Sequence, residues 1–384
     1  MAAGGFLSGW SGLGRFWLIV LFVLGLGAGT LQWLGPPVPA TAVRASRDPG
    51  STPDTERAPP SAEIHAQSRD EPNAPSRDEA HAPTSAATQP APAKPPAAQA
   101  AVLPPGRGTP GPVADPDPAL LEPVPPPATG FLPRTAADGR VSMREYAAGF
   151  DPTTRRPRVG LIVGGIGMNA ADSLDVARRL PGGITLAVSA YANDVDRILA
   201  AARIAQHEYL LEIPMEPQGF PANDPDDRRA LMTSLSQAEN IDRLHWALSR
   251  IAGYVGATNA FGMMRGERLS GATDQLDAVL KDLAARGLLF VDARTGAPPL
   301  PFAWNRTVDV VIDDDKLTPD AIDQRLAALA KRALDKGSAL GLVLVPRPVT
   351  MERVTAWTTA LQQQGLVLAP VSALAEPPNG DAAR

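Results

Sequence analysis

The sequence predicts an α/β fold: a (β/α) barrel of seven or eight parallel strands, complete or slightly open, after an N-terminal transmembrane helix and a disordered linker. Three observations predict it. Of the 41 prolines in 384 residues, 25 fall between Pro36 and Pro133, so that stretch builds no core. Ahead of it stands a 19-residue run without a charge, from Phe16 to Leu34. From Asp151 onward, 234 residues alternate strand-length apolar runs with helical patterns, enough chain for a single barrel. A doubly wound open sheet is the alternative, because strand order is not written in a sequence.

The apolar run (FWLIVLFVLGLGAGTLQWL) has the length needed to cross about 30 Å of hydrocarbon as a helix. Arg15 precedes it, and Trp17 and Trp33 stand near its ends, where indole rings favour the interface. A cleaved signal peptide is the competing reading, since Ala40-Thr41-Ala42 has the small-x-small form of a cleavage site. Either reading exports the rest of the chain, and a retained single-pass anchor is expected. The domain order is then a short tail (1–15), the anchor or signal sequence (16–35), a Pro/Ala-rich linker (36–137), a folded domain (138–376) and a C-terminal tail (377–384). The linker holds a tandem repeat, SRDEPNAP (68–75) and SRDEAHAP (76–83), of the kind an unconstrained tether accumulates.

Composition excludes several chemistries. The net charge of -5 gives no support for nucleic-acid binding, which needs a basic face. With no cysteine there is no disulfide, thiolate-ligated zinc, iron–sulfur cluster or cysteine nucleophile.

In the folded part the strands read VGLIVG (159–164), ITLAVSA (184–190), EYLLEIP (208–214), YVGATN (254–259), LLFVDA (288–293), DVVID (309–313), ALGLVLV (339–345) and GLVLAPV (365–371). Several are continuous hydrophobic runs, as expected of parallel strands covered on both faces. Helix starts are expected at Asn169, at Asn193 or Asp194, at Asn240 and at Thr318-Pro319. In a barrel the chemistry sits beyond the carboxyl ends of the strands. The polar groups there are Glu212 and Glu216, Asn259, Asp292 and Arg294, Asp313, and Arg347, with Gly164-Gly165 after the first strand.

The motifs EYLLEIPMEP (208–217), GYVGATNAFG (253–262), GLLFVDARTG (287–296) and DVVIDD (309–314) occur in order, and the segment they span resembles the divergent polysaccharide deacetylase family. The resemblance runs from about Leu132 to Leu374. It implies a barrel related to carbohydrate esterases, exported or envelope-associated, with polysaccharide or cell-wall glycan as partner. It also implies a metal site, since such deacetylation uses an aspartate and two histidines on a divalent ion. Here the resemblance breaks. The acidic pair after the first strand is Gly164-Gly165, and one histidine position is Glu212. Another is Ala260 or Phe261, and the histidine before proline is Val345. His207 and His245 are the histidines of the folded part, and neither has a partner at ligand spacing.

The expected function is therefore an envelope-anchored, deacetylase-like protein of carbohydrate or cell-wall polymer metabolism, lacking the histidine metal ligands. A catalytically inactive carbohydrate-binding or scaffolding domain is the alternative. The expected catalytic candidates are Glu212 and Asp292, an acid/base pair if their separation suits. Glu216, Asn259, Arg294 and Asp313 are the expected substrate-binding groups. No cofactor is expected, although an all-oxygen set of Glu212, Asp292 and Asp313 would suit magnesium or calcium. Tyr191, Phe220, Phe261 and Trp304 fall in loops or strand ends where a ring can stack on a sugar.

Overall fold

The computed structural model describes residues 110–125, 129–226, 228–314 and 316–379. The expected anchor, most of the expected linker and the end of the C-terminal tail lie outside the described residues. Among the described residues no helix is long and apolar enough to cross a membrane.

The parallel sheet opens with β3 (Arg158–Ile166), β4 (Thr185–Ser189), β5 (Tyr209–Glu212), β6 (Gly256–Thr258) and β7 (Leu289–Asp292). It continues with β8 (Asn305–Thr307), β9 (Val310–Val311) and β10 (Ser338–Val343). Neighbours pair in the order β8-β7-β6-β5-β4-β3-β10-β9. All these pairs are parallel. Sequence neighbours are thus sheet neighbours all the way round, which is barrel order. The two ends of the sheet meet in one short segment. Asn305–Thr307 pairs with β7, and two residues later Val310–Val311 pairs with β10. Between them Val308 N–H donates to the Asp292 carbonyl and Asp309 N–H to that of Leu340. The segment 305–311 therefore bridges both edges, and the barrel is curled with a seam rather than evenly closed.

Helices run between the strands: α1 (Ser142–Glu145), α2 (Ala170–Arg179), α3 (Asp196–Ile204), α4 (Gln237–Leu248), α5 (Glu267–Gly271), α6 (Thr273–Ala285), α7 (Pro319–Lys336) and α8 (Pro348–Ala360). The strands divide their side chains by alternation. Leu161 and Val163 of β3, Leu186 and Val188 of β4, and Tyr209 and Leu211 of β5 pack outward with the helices. Ile162, Ala187, Leu210, Leu289, Leu340 and Leu342 fill the interior. A strand covered on both faces shows no polar alternation, and this is why the runs read as continuous apolar stretches.

Four differences from the sequence reading have physical causes. First, the folded part begins before 138. Strands β1 (Leu121–Pro123) and β2 (Phe131–Pro133) form an antiparallel pair, and Leu120 and Leu132 are buried. Their prolines hid them, but proline is tolerated in a short edge pair. Second, the last expected strand, 365–371, is a two-residue strand, β11 (Val367–Leu368), beside the start of β3, while β8 was not expected at all. Third, α4 is capped by Ser236, which forms a capping box with Glu239. Asn240 sits inside that helix, buried, accepting from Met232 N–H and donating to its carbonyl. Fourth, α3 starts at Asp196 after Val195 and has no side-chain cap. Asn169 and Thr318 do cap their helices.

Candidate functional site

Strand β3 breaks its regular register with β4 between Val163 and Ile166. The break falls on Gly164-Gly165, where Gly165 has φ +69°. A bulge of this kind re-aims backbone groups at a barrel rim. Here it turns the Gly165 N–H onto Glu212 Oε1 at 2.8 Å. Glu212 lies two strands away, so its side chain crosses the inside of the barrel past β4, whose Ser189 is its register partner. The crossing leaves no room at position 164: a Cβ there would stand 2.8 Å from Glu212 Oε1 and 3.0 Å from the Leu344 carbonyl oxygen. Glu212 is 1% exposed, and its Oε2 has no hydrogen-bond partner. Burial pushes its carboxyl up to about 8, against the pull of the Gly165 N–H.

The other expected site residues are each closed by protein partners. Asp292, at the end of β7, is fully buried and takes Arg294 through both oxygens, at 2.6 Å to Nη2 and 3.0 Å to Nε. Asn259 accepts from the Ala293 N–H and donates to Asp292 and to Ser270 on α5. Asn259, Asp292 and Arg294 are thus brought together, as a clasp between the ends of β6 and β7. Asp313 accepts from the Leu344 N–H at 2.7 Å and pairs with Arg347 at 3.2 Å, tying the end of β9 to that of β10. Burial raises its carboxyl pKa, opposed by these backbone amides and the guanidinium. Glu216 stands apart, bound by the Thr233 amide and hydroxyl, both at 2.6 Å, and by Arg268 at 3.0 Å. Glu212 and Asp292 make no bond to each other; each spends its contacts elsewhere.

The expectations missed Arg265 and Arg268, which sit in the run MMRGER after β6. Arg265 pairs with Glu267 at 3.3 Å and reaches Asp314 at 3.5 Å. Two arginines following a strand end rich in facing carboxylates are the signal that points to them. Among the expected stacking rings, Trp304 packs against the interior cluster. Tyr191 and Phe261 meet with centroids 5.5 Å apart.

Neither histidine of the described residues stands at the carboxyl end of a barrel strand. His207 is fully buried at the start of β5, with Nδ1 2.8 Å from the Ile184 carbonyl oxygen, and burial pushes its imidazole pKa down. His245, on α4, is engaged by Asp282 and Arg286. Among the described residues, no group of three acidic or histidine side chains is placed to hold a metal ion. A groove of about 520 Å³ runs between α2 and α8, but it lies on the outer face and is lined by groups such as Val176, Met351 and Thr355.

A parallel barrel with its polar groups gathered at the carboxyl ends of the strands defines a class of α/β barrel proteins. Within that class the chain belongs to the divergent polysaccharide deacetylase family, whose model matches residues 161–375. An uncharacterized protein from Agrobacterium tumefaciens C58 is 31% identical over 64% of this chain and 99% of its own, with a TM-score of 0.58. A family 4 carbohydrate esterase from Streptomyces lividans, solved with acetate, is 19% identical over 59% of this chain and 100% of its own, with a TM-score of 0.38. No curated protein matches the chain.

Proposed function

We propose that this chain is an envelope protein that binds carbohydrate or cell-wall polymer on the exported side, with a deacetylase barrel that works without the family's metal. The run 16–34 would anchor it, and the Pro-rich stretch after that run would hold the barrel off the membrane. The observation that carries the reading is the fit of Glu212 against Gly164-Gly165. A cation site at that rim needs an acidic side chain projecting from β3. Position 164 has no space for a Cβ, and position 165 has a backbone that favours glycine. The carboxyl that fills the space is buried, which raises its pKa and favours its protonated form. Asp292 and Asp313 are already neutralised by Arg294 and Arg347, which supports binding rather than carboxylate catalysis.

The test uses the full chain in detergent. It should be retained on insoluble cell-wall glycan equally with and without EDTA, and should release no acetate from acetylated chitooligosaccharides under either condition. Acetate release that depends on an added divalent cation would overturn the metal-free reading. Failure to bind any glycan would overturn the carbohydrate reading.

A further inference from the structure

Three half-buried rings form a continuous line away from the barrel mouth. Phe261, just past β6, meets Tyr191, just past β4, at 5.5 Å between centroids, and Tyr191 meets Trp246 of α4 at 5.3 Å. The ring planes are tilted by 56° and 54°, so the line is a stepped ledge and not a flat stack. Two guanidinium groups cover its outer end. Arg229 lies 4.9 Å from the Trp246 ring centroid and Arg250 lies 5.8 Å from it. Both arginines are exposed, and neither is paired with a carboxylate among the described residues. Arg250 instead donates to the Ala190 carbonyl and the Asn193 side chain, which fix its position. The adjacent acid, Asp226, pairs with Arg228 at 3.0 Å and also engages the Tyr191 hydroxyl at the edge of the ledge.

In a chain of net charge -5, two neighbouring cations that have no carboxylate partner among the described residues call for an explanation. A ring ledge offers a face for the C–H side of a sugar, and arginine offers a planar fork for a carboxylate. Their combination selects a sugar that carries an acid. We infer that Tyr191, Phe261, Trp246, Arg229 and Arg250 form a subsite for an acidic glycan, a polymer of carboxylate-bearing sugars that leaves the barrel mouth along this ledge. The inference rests on the carbohydrate reading above and adds the charge class of the ligand.

The experiment is calorimetric titration of the full chain in detergent with three probes of matched length: oligogalacturonate, a neutral N-acetylglucosamine oligomer and poly-glutamate. Oligogalacturonate is expected to bind at least tenfold tighter than the other two at low salt. The double variant R229Q/R250Q also removes the Arg250 hydrogen bonds to Ala190 and Asn193, so it should melt somewhat below the wild type while staying folded at the titration temperature. It should lose the tenfold preference while binding the neutral oligomer unchanged. The variant Trp246→Phe, which keeps a ring, should retain most of the affinity, and Trp246→Ala should lose it for both sugars. Equal binding of the acidic and neutral oligomers would overturn the inference and leave the carbohydrate reading standing. So would poly-glutamate binding as tightly as oligogalacturonate, because charge alone would then suffice. Retention on insoluble glycan without binding of either oligomer would also overturn it. Absence of binding to any glycan, soluble or insoluble, would remove the carbohydrate reading as well.

Discussion

Glu212 accepts from one backbone amide and is otherwise buried, and that makes it a pH-sensitive group of the barrel mouth. In the unfolded chain its carboxyl ionises near the ordinary value of 4.5, whereas in the folded chain it keeps its proton to about 8. Between those values the folded state holds more protons than the unfolded state, so stability falls as pH rises, by about 1.4 kcal/mol per unit at most. Below pH 4.5 both states are protonated and the effect vanishes. Glu212→Gln removes the ionisation, so its urea midpoint should lose less between about pH 5.5 and 8.5 than that of the wild type. Coincident pH profiles for the two would show that Glu212 is solvated. Asp292 is the opposite case, because its charge is matched. Asp292→Ala would strand Arg294 and leave Asn259 short of an acceptor, at a cost of about 3–5 kcal/mol. A chemical denaturation curve within about 1 kcal/mol of wild type would return Asp292 to the list of free site residues. The sequence shows that D-x-R places Asp292 beside Arg294, and that Asn259 ends a neighbouring strand. It does not show that Arg294 folds back onto Asp292, since side-chain direction depends on what packs above it.

At the scale of the element, the barrel strands were legible where they are covered on both faces. Strands β3 and β10 read as unbroken apolar runs because helices lie outside them and side chains fill the barrel inside. The segment 305–311 was half legible. Its second half, Val310–Val311, is apolar, but its first half is Asn-Arg-Thr, which carries no strand signature. Those residues are polar because they fasten the segment locally: Asn305 donates to the Leu300 and Ala303 carbonyls of the preceding loop, and Arg306 reaches Asp309 at 2.6 Å. Helix α4 shows how a cap is misread. Ser236, with Glu239 three residues on, is the pattern of a capping box, yet Asn240 is also a cap-forming residue and lies closer to the apolar periodicity. The two roles separate by mutation. Ser236→Ala should cost about 1 kcal/mol, the ordinary value of an exposed cap. Asn240→Ala should cost more, about 2–4 kcal/mol, because it leaves the Met232 amide and carbonyl buried without partners. Equal costs in denaturant melts would mean that the loop around Met232 relaxes to water.

At the scale of the whole molecule, the mouth is only one end of the barrel, and the other end is sealed. Leu120 and Val113 from the N-terminal arm, Tyr146 to Phe150 beyond it, and Val371 to Ala375 from the C-terminus pack into the cluster that fills the interior. Glu208, at the foot of β5, joins these pieces. It is fully buried and accepts from the Ala148 amide, from the Ser372 amide and hydroxyl, and from the Thr185 hydroxyl. The arm is also fastened outside. Glu122 pairs with Arg286 at 2.8 Å, Arg286 donates to the Pro133 carbonyl, and Leu132 enters the outer cluster. The part that residues 110–131 play here was not legible, because their proline content marks them as chain that cannot fold alone. That is correct physics for an isolated segment and misses what it does once a barrel offers a floor. The consequence is a specific boundary. Limited proteolysis should yield a stable fragment that begins near residue 110. A chain that starts at 138 loses the burial of Leu120 and Leu132, about 2–3 kcal/mol each, and uncovers Arg286. For a domain of this size that sum should lower the melting temperature by about 10–20 °C relative to a chain starting at 110. Both truncations keep every residue of the mouth, so the comparison isolates the floor. Equal melting temperatures for the two chains would show that the arm lies on the barrel without supporting it.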